Sequence, residues 1–388
     1  MAINIVALGG SGAGKSLYLA SLYRKLMNSL IIDDLNEEKK LNKICQDVLT
    51  TTEGEVTTIG TSAFKEWKFK WQLATKSGKY NVGSFTYLDY GGGKITEIKE
   101  TSKKEGKTSE QEKKLEKEIE KAHIVVIFLD GVKLIDLMRQ KVGREELSTT
   151  SVNQINFWYQ ELFNSIACLK RNDCPIHFVI TKWDALVFKG FEDLRAIENT
   201  LTKDLPALKE LIDIRKELQS QPIRWIPISS LGMNIAEPIY DSEGTYKKMG
   251  LKKIDGCYAN TIDPMDVDIV LSYAMIDTLK SKLKDLEKVG IVSKIVAGVG
   301  VDFILDALPF PFNLVSKYAK PIFEAIYDCE QVGKKVQDKI NMENIKNRKD
   351  ALVYMISEHQ QKIKKFEKKF EEEIPPTVQD EFVSSPQS

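Results

Sequence analysis

Gly9-Gly-Ser-Gly-Ala-Gly14-Lys15-Ser16 stands between the apolar run Ile3–Leu8 and the helical pattern Leu17–Met27. A strand, a glycine loop ending in Gly-Lys-Ser and a helix, in that order, form the context of a phosphate-binding P-loop of the Walker A type. Glycines let successive backbone N–H groups turn toward one anion at a helix N-terminus. Gly9, Gly10, Ser11, Gly12, Ala13 and Gly14 are therefore read as the phosphate cradle, with Leu17 opening the helix behind it. Lys15 supplies a positive charge to the β- and γ-phosphates, and the Ser16 hydroxyl is a ligand for Mg²⁺. The loop by itself specifies only a nucleoside triphosphate.

Outward from the loop, short apolar runs alternate with helical patterns. Ile3–Leu8, Trp67–Leu73, Phe85–Leu88, Ile124–Leu129, His177–Ile180 and Ile223–Ile228 read as strands. That alternation predicts an α/β domain with a mostly parallel central sheet. Ile3–Leu8 and Ile124–Leu129 are apolar on both faces, as central strands covered on each side must be. Trp67-Lys-Phe-Lys-Trp71 alternates and suits an edge strand with one wet face.

After Leu279 no strand pattern follows, which places a boundary near residue 285 and an all-α region beyond it. Within residues 286–376, Gly290–Ala307 and Leu314–Tyr327 flank Pro309-Phe-Pro-Phe312 and predict a helical hairpin. A long amphipathic helix is expected from Val332 to Glu373, its apolar stripe built from Leu352, Met355, Ile356, Ile363, Phe366 and Phe370. Residues 377–388 read as a disordered tail. Lys294, Asp302 and Asp306 interrupt the hairpin's apolar run, so it does not span a bilayer. Lys317, Lys320, Phe310 and Phe312 leave peripheral membrane contact open.

Bulk properties narrow the class. The chain has 388 residues, 42% hydrophobic and 29% charged, in the range of ordinary globular proteins. Lys+Arg and Asp+Glu are equal at 56 each, so no overall field favours nucleic acid. Cys45, Cys168, Cys174, Cys257 and Cys329 form no CxxC pair and no zinc pattern, and most are expected to be small core residues in a reducing compartment. With no leader pattern ahead of the glycine loop, a cytoplasmic location is expected.

The base is indicated by Phe178-Val-Ile-Thr181-Lys182-Trp183-Asp184, where a strand runs into a four-residue turn. Here the chain resembles the Ras-like P-loop GTPases of the translation-factor class. The resemblance covers residues 1 to about 280 and implies GTP and GDP as ligands, with Mg²⁺. By it, Asp184 accepts hydrogen bonds from guanine N1 and N2, the Lys182 stem lies over the ring, and Thr181 opens the motif. Adenine offers an acceptor at N1 and nothing at C2, so a buried Asp184 would reject ATP. Phe85-Thr-Tyr-Leu-Asp89-Tyr-Gly-Gly92 resembles the family's γ-phosphate sensor, with Asp89 on Mg²⁺ through water and the Gly92 amide on the γ-phosphate. Pro227-Ile-Ser229-Ser230-Leu231 resembles the turn whose amides meet guanine O6. Of the threonines ahead of Trp67, Thr61 is chosen as the switch residue that completes Mg²⁺ coordination; Thr57 and Thr58 stay open. Lys15, Thr61 and Gly92 are thereby the residues acting on the reacting phosphate.

Two polar stretches, 28–60 and 94–121, fall where such proteins carry nucleotide-sensing switches. The position after Gly92, where many relatives place a water-orienting glutamine, is Gly93, with Lys94 and Glu97 nearby. Asp263-Pro-Met-Asp-Val267 resembles a proline-containing helix of the bacterial members. Three functions fit: a regulatory GTPase that hydrolyses GTP slowly and answers to an effector or activator, a dynamin-like or septin-like assembly or membrane protein, and a GTP-binding interaction subunit without turnover. Self-association through the GTPase domain or the C-terminal helices is compatible with each.

Overall fold

The computed structural model describes residues 2–49, 64–90, 110–142, 149–167, 173–217, 222–233, 235–240, 246–251, 253–254, 257–258, 261–288 and 345–372, with Leu169, Ser242 and Met342. It is an α/β structure around a seven-stranded, mostly parallel sheet.

Strand β1 (Ala2–Gly9) lies between β4 (Gly78–Asp89) and β5 (Ile124–Asp130) and is parallel to both. Beyond β5 follow β6 (Ile176–Thr181) and β7 (Ile223–Pro227), also parallel. All residues of β5 and β6 are buried, which explains why Ile124–Leu129 reads as apolar on both faces. On the other side β3 (Lys65–Thr75) runs antiparallel to β4, and β2 (Leu30–Ile31) antiparallel to β3. The alternation of Trp67-Lys-Phe-Lys-Trp71 does mark one wet face, but β3 is not the outermost strand. Leu30 pairs with Trp71 and Ile31 with Lys70, so a two-residue strand closes that edge. The strand expected over Phe85–Leu88 begins earlier, at Gly78, because it leaves a tight hairpin with β3.

Helix α1 (Lys15–Lys25) follows the glycine loop, and α2 (Leu35–Leu49) occupies much of the first polar stretch. Leu41, Cys45 and Val48 form the buried stripe of α2 amid its charges. Part of the second stretch is helix α3 (Glu110–Glu120), anchored by Leu115 and Ile119. A group comprising α4 (Gly131–Val142), α5 (Thr149–Ala167), α7 (Leu194–Asp204) and α8 (Pro206–Glu217) packs together along β1, β5 and β7. The short α6 (Trp183–Phe188) begins directly after β6. Two small hairpins, β8 (Ala236–Tyr240) with β9 (Tyr246–Leu251) and β10 (Lys253–Ile254) with β11 (Cys257–Tyr258), precede helix α9 (Val267–Lys288).

Asp263–Asp266 is not the proline-containing helix expected from sequence. Met265 forms an isolated antiparallel bridge with Ser229, and helix begins only at Val267. The last described helix, α10 (Arg348–Glu372), also starts later than Val332. Asn347 Oδ1 accepts from the Asp350 N–H at 3.0 Å while the Asp350 carboxylate accepts from the Lys346 N–H and from Asn347 Nδ2, a reciprocal cap that fixes the start. Leu352, Met355, Ile356, Ile363 and Phe366 are buried as the stripe requires, and Phe370 is partly buried. Each fully buried side chain of this kind contributes about 1.5–3 kcal/mol, so α10 is held firmly against α9 and β4. Ser77 Oγ, in the turn between β3 and β4, donates to the Ile345 carbonyl just before it. No helix among the described residues is long and apolar enough to cross a membrane. The predicted hairpin 290–327 and the tail 377–388 lie outside the described residues.

Candidate functional site

The register of the parallel strands brings five chain segments to one rim. Ala7 pairs with Asp89, Gly9 with Phe128, Asp130 with Thr181, and Ile180 with Pro227, so the C-terminal ends of β1, β4, β5, β6 and β7 line up. After β1 the chain crosses to one side of the sheet and after β4 to the other, which makes the end of β1 a topological switch point, the place where open α/β sheets form ligand crevices. The glycine loop leaves β1 there.

Gly14 caps α1 in the left-handed region, φ 82° and ψ 11°, a conformation that glycine adopts without the steric cost borne by other residues. At Gly10 a Cβ would stand 2.4 Å from Oε2 of Glu161, the end of a side chain that can turn aside. That carboxylate, on α5, accepts from the Ser11 N–H and braces the loop from behind. Burial pushes its pKa up, against the opposing pull of that hydrogen bond, Lys15 and Lys133. Oε1 of Glu161 is buried with no hydrogen bond among the described residues, and Glu161 lines a cavity of about 410 Å³ together with Asp130, Lys133 and Trp158.

Lys15 is buried and donates to the carbonyls of Gly9 at 2.8 Å and Gly10 at 3.2 Å. Desolvation lowers its pKa, with Asp89 and Glu161 opposing the shift. The Ser16 hydroxyl lies 3.2 Å from Oδ2 of Asp89, a residue only 1% exposed at the end of β4. A hydroxyl and a carboxylate converging beside the glycine loop are hard oxygen donors of the kind that suit Mg²⁺. No cluster of three His, Cys, Asp or Glu side chains able to hold a metal occurs among the described residues, and an ion held mainly by phosphate oxygens and water needs none.

Sequence reading separates the Thr181–Asp184 motif from the loop by most of the domain, yet they touch. Thr181 Oγ1 lies 3.0 Å from the carbonyl oxygens of both Ala13 and Leu129. Lys182 adopts φ 53°, ψ 38°, and Asp184 falls in the first turn of α6, 6% exposed. The Ser229–Leu231 turn is brought alongside by two backbone bonds, Trp183 N–H to Ile228 O at 3.0 Å and Ile228 N–H to Ile180 O at 2.8 Å. Within the turn Ser229 Oγ accepts from the Gly232 N–H at 3.0 Å, and Ser229 and Met265 exchange two backbone bonds. The buried Ser230 hydroxyl has no hydrogen bond among the described residues.

Gly9–Leu17, Asp89, Thr181–Asp184 and Ser229–Leu231 thus share one rim. Thr57, Thr58, Thr61, Gly92, Gly93, Lys94 and Glu97 lie outside the described residues. Two site residues were not anticipated, Asp130 and Glu161. Asp130 ends β5, accepts from Lys182 Nζ at 2.8 Å and from the Val132 N–H at 3.0 Å, and its sequence signal was a lone Asp-Gly closing an apolar strand. Glu161 had no signal, since only the packing of α5 aims it at the loop.

No protein-family model matches the chain. No curated protein matches it either. Among solved structures, the crystal structures of the S. cerevisiae Ski7 GTPase-like domain, one bound to GTP and one bound to GDP and inorganic phosphate, are each 16% identical over 61% of this chain, with a TM-score of 0.33. This chain covers 44% of the length of each. At that TM-score the likeness transfers neither ligand nor activity.

Proposed function

We propose that this chain is a Ras-like P-loop GTP-binding protein, a regulatory switch that hydrolyses GTP to GDP slowly without a stimulating partner. The observation that carries this reading is the meeting of Gly9–Ser16, Asp89, Thr181–Asp184 and Ser229–Leu231 on one rim of the sheet. Four segments far apart in sequence converge there, which supports a single nucleotide site.

In this reading the loop amides and Lys15 hold the β- and γ-phosphates, while Ser16 and Asp89 face Mg²⁺. Asp184 accepts from guanine N1 and N2, the stem of Lys182, its ammonium tied to Asp130, flanks the base, and the amides of Ser229–Leu231 face O6. The loop amides and Lys15 stabilise negative charge on the transferring phosphoryl group, and a Mg²⁺ held by Ser16 and Asp89 would add Lewis-acid charge there. Thr61 and the Gly92 amide are the γ-phosphate-dependent contacts, and the segments around them are the bistable element. A protein effector or activator reads that state. Self-association through the GTPase domain or the C-terminal helices is compatible with this reading.

Competition against fluorescent GDP tests the reading. GTP and GDP should displace the probe in the presence of Mg²⁺, and ATP should not. Equal displacement by ATP and GTP would refute guanine recognition.

A further inference from the structure

Helix α10 reaches both loops assigned to the base. Its Phe370 ring stands edge-on to Trp183, centroids 6.1 Å apart and planes at 74°. Trp183 lies between Lys182 and Asp184 and is 3% exposed. Phe366 fixes the Phe370 ring from the other side at 4.9 Å and itself meets Tyr273 of α9 at 6.2 Å. One residue before Phe370, Lys369 Nζ lies 3.1 Å from Oδ2 of Asp266 and 3.6 Å from Sδ of Met265. Met265 is the residue whose backbone is bonded twice to Ser229. Asp266 holds a left-handed φ of 58°, which a non-glycine residue keeps only where its surroundings impose it.

The same short segment is also gripped by the helix that follows the glycine loop. Lys25, at the far end of the P-loop helix, donates to the Pro264 carbonyl at 3.0 Å and pairs with Asp268 at 2.9 Å, and Lys362 of α10 pairs with Asp268 at 3.2 Å. Pro264–Asp268 is therefore a joint shared by α1, α10 and the Ser229–Leu231 turn. The first half of α10 is anchored elsewhere, by His359 on Ser272 and against Trp71, and by Ile345 at the β3–β4 turn. Anchoring and base-loop contact occupy different parts of one helix.

We propose that Phe370 and Lys369 are positioning residues for the guanine pocket, and that loosening of the last turns of α10 is the route by which the nucleotide is released. This rests on the guanine reading of Asp184 and of Ser229–Leu231. With Phe370 in place, Trp183 has one rigid wall and the carboxylate beside it keeps its direction. With Lys369 in place, Met265 holds the O6 turn. A partner that draws α10 off the domain would act as an exchange factor without touching the nucleotide, because both loops lose support together.

Dissociation of fluorescent GDP and of fluorescent IDP, which lacks the 2-amino group that Asp184 reads, separates positioning from bulk stability. The experiment uses the full chain with Mg²⁺ and compares wild type, Phe370→Ala, Lys369→Ala, Lys369→Arg and Ile356→Ala. Phe370→Ala should release GDP about 3- to 30-fold faster and narrow the GDP-to-IDP ratio, the size expected of a change that acts through packing rather than ligand contact. Lys369→Ala should shift both in the same direction by less, and Lys369→Arg should restore them. Ile356→Ala, in the anchoring half, should lower Tm and leave the ratio alone, and affinity for inorganic pyrophosphate should be unchanged throughout. Wild-type GDP and IDP rates in folded Phe370→Ala would overturn the proposal. The side chain of Lys369 is 41% exposed and its removal does not threaten folding, so an unchanged ratio in Lys369→Ala overturns it even where Phe370→Ala fails to fold. Wild-type protein that binds neither nucleotide would overturn this proposal and the GTP-binding reading together. Wild-type binding with unmoved variants overturns the positioning role alone.

Discussion

Lys182 and Asp130 are joined at 2.8 Å between Nζ and Oδ2, on side chains 19% and 6% exposed, across the ends of neighbouring strands. The pair fixes the lysine stem that is assigned to the base, and Asp130 is itself oriented by the Val132 N–H. Removing one partner of a mostly buried charged hydrogen bond costs about 1.5–3 kcal/mol. Asp130→Ala should therefore weaken GDP binding about tenfold or more, while Asp130→Asn, which keeps an acceptor for Lys182, should weaken it less. Titration with fluorescent GDP checks both, and equal affinity in Asp130→Ala and wild type would detach this pair from the site.

Asp184 is 6% exposed at the start of α6, where a change of side-chain donors alters what the pocket can accept. Asp184→Asn presents an amide N–H where a carboxylate accepted, so preference should move from guanine toward xanthine nucleotides. Competition by XDP against GDP reads the change. A variant that retains wild-type base preference would remove Asp184 from the base pocket.

Lys15 and Ser16 predict a loss of a different kind, felt by every nucleotide. Lys15→Ala removes the loop's ammonium and Ser16→Asn the hydroxyl beside Asp89, so each should sharply weaken Mg²⁺-dependent triphosphate binding whatever the base. The loop glycines should differ among themselves. A Cβ on Gly9 would meet the Phe128 backbone oxygen at 2.6 Å, whereas one on Gly10 meets the tip of the Glu161 side chain, which can turn aside. Gly9→Ala should lower Tm more than Gly10→Ala, and the reverse order in calorimetry would contradict this packing.

The parts of this site that sequence made legible are those coded locally. The glycine loop, the largely apolar runs of β1 and β5, and the strand leading into Thr181 each declare themselves within a dozen residues. What stayed hidden is coded by topology. Strand β2 is two residues paired with Trp71 and Lys70, too short to show a period. The buried stripe of α2 is spread over Leu41, Cys45 and Val48 among charges that read as a solvated stretch. Glu161 behind the loop and Phe370 beside Trp183 are joined to the site only when helices pack, and no spacing along the chain announces either contact.

Acid should undo the seating of α10. His359 is fully buried against Ser272 and Trp71, and its pKa is lowered to about 3 by desolvation and then by Lys362, with Asp268 opposing. Ser272 Oγ also donates to the Asp268 carbonyl at 2.8 Å, so the imidazole is the donor in the 2.6 Å contact, through Nδ1–H. His177, beside Asp277 and Arg224, is likewise held neutral by burial. The His359 imidazole of the unfolded chain protonates near 6.5, so its contribution to stability is complete above that pH and falls as pH drops through the window toward 3, by about 1.4 kcal/mol per pH unit. Melting curves between pH 7.5 and 5 should show Tm falling, with a shallower slope in His359→Gln. An identical slope in that variant would mean that His359 does not titrate on unfolding.

Hydrolysis should be slow, because Gly93 stands where a water-orienting glutamine is often found. Mg²⁺, Lys15 and the loop amides can still stabilise charge on the β- and γ-phosphates, but Gly93 brings no side chain to align the attacking water. Intrinsic turnover is therefore expected on the order of 10⁻³ s⁻¹ or below, as for unaided proteins of this mechanism. A charge supplied from outside, such as an arginine, adds about 10³- to 10⁵-fold, so a partner or a second copy should govern the rate more than any residue of this chain. Single-turnover hydrolysis over a range of protein concentrations, alone and then with candidate partners, separates the sources. A rate that rises with concentration points to self-association, and one that rises only with partner points to an activator. Fast hydrolysis by dilute protein alone would mean that a side chain such as Lys94, Glu97 or Glu161 already orients the water, and the stimulated switch would have to be abandoned.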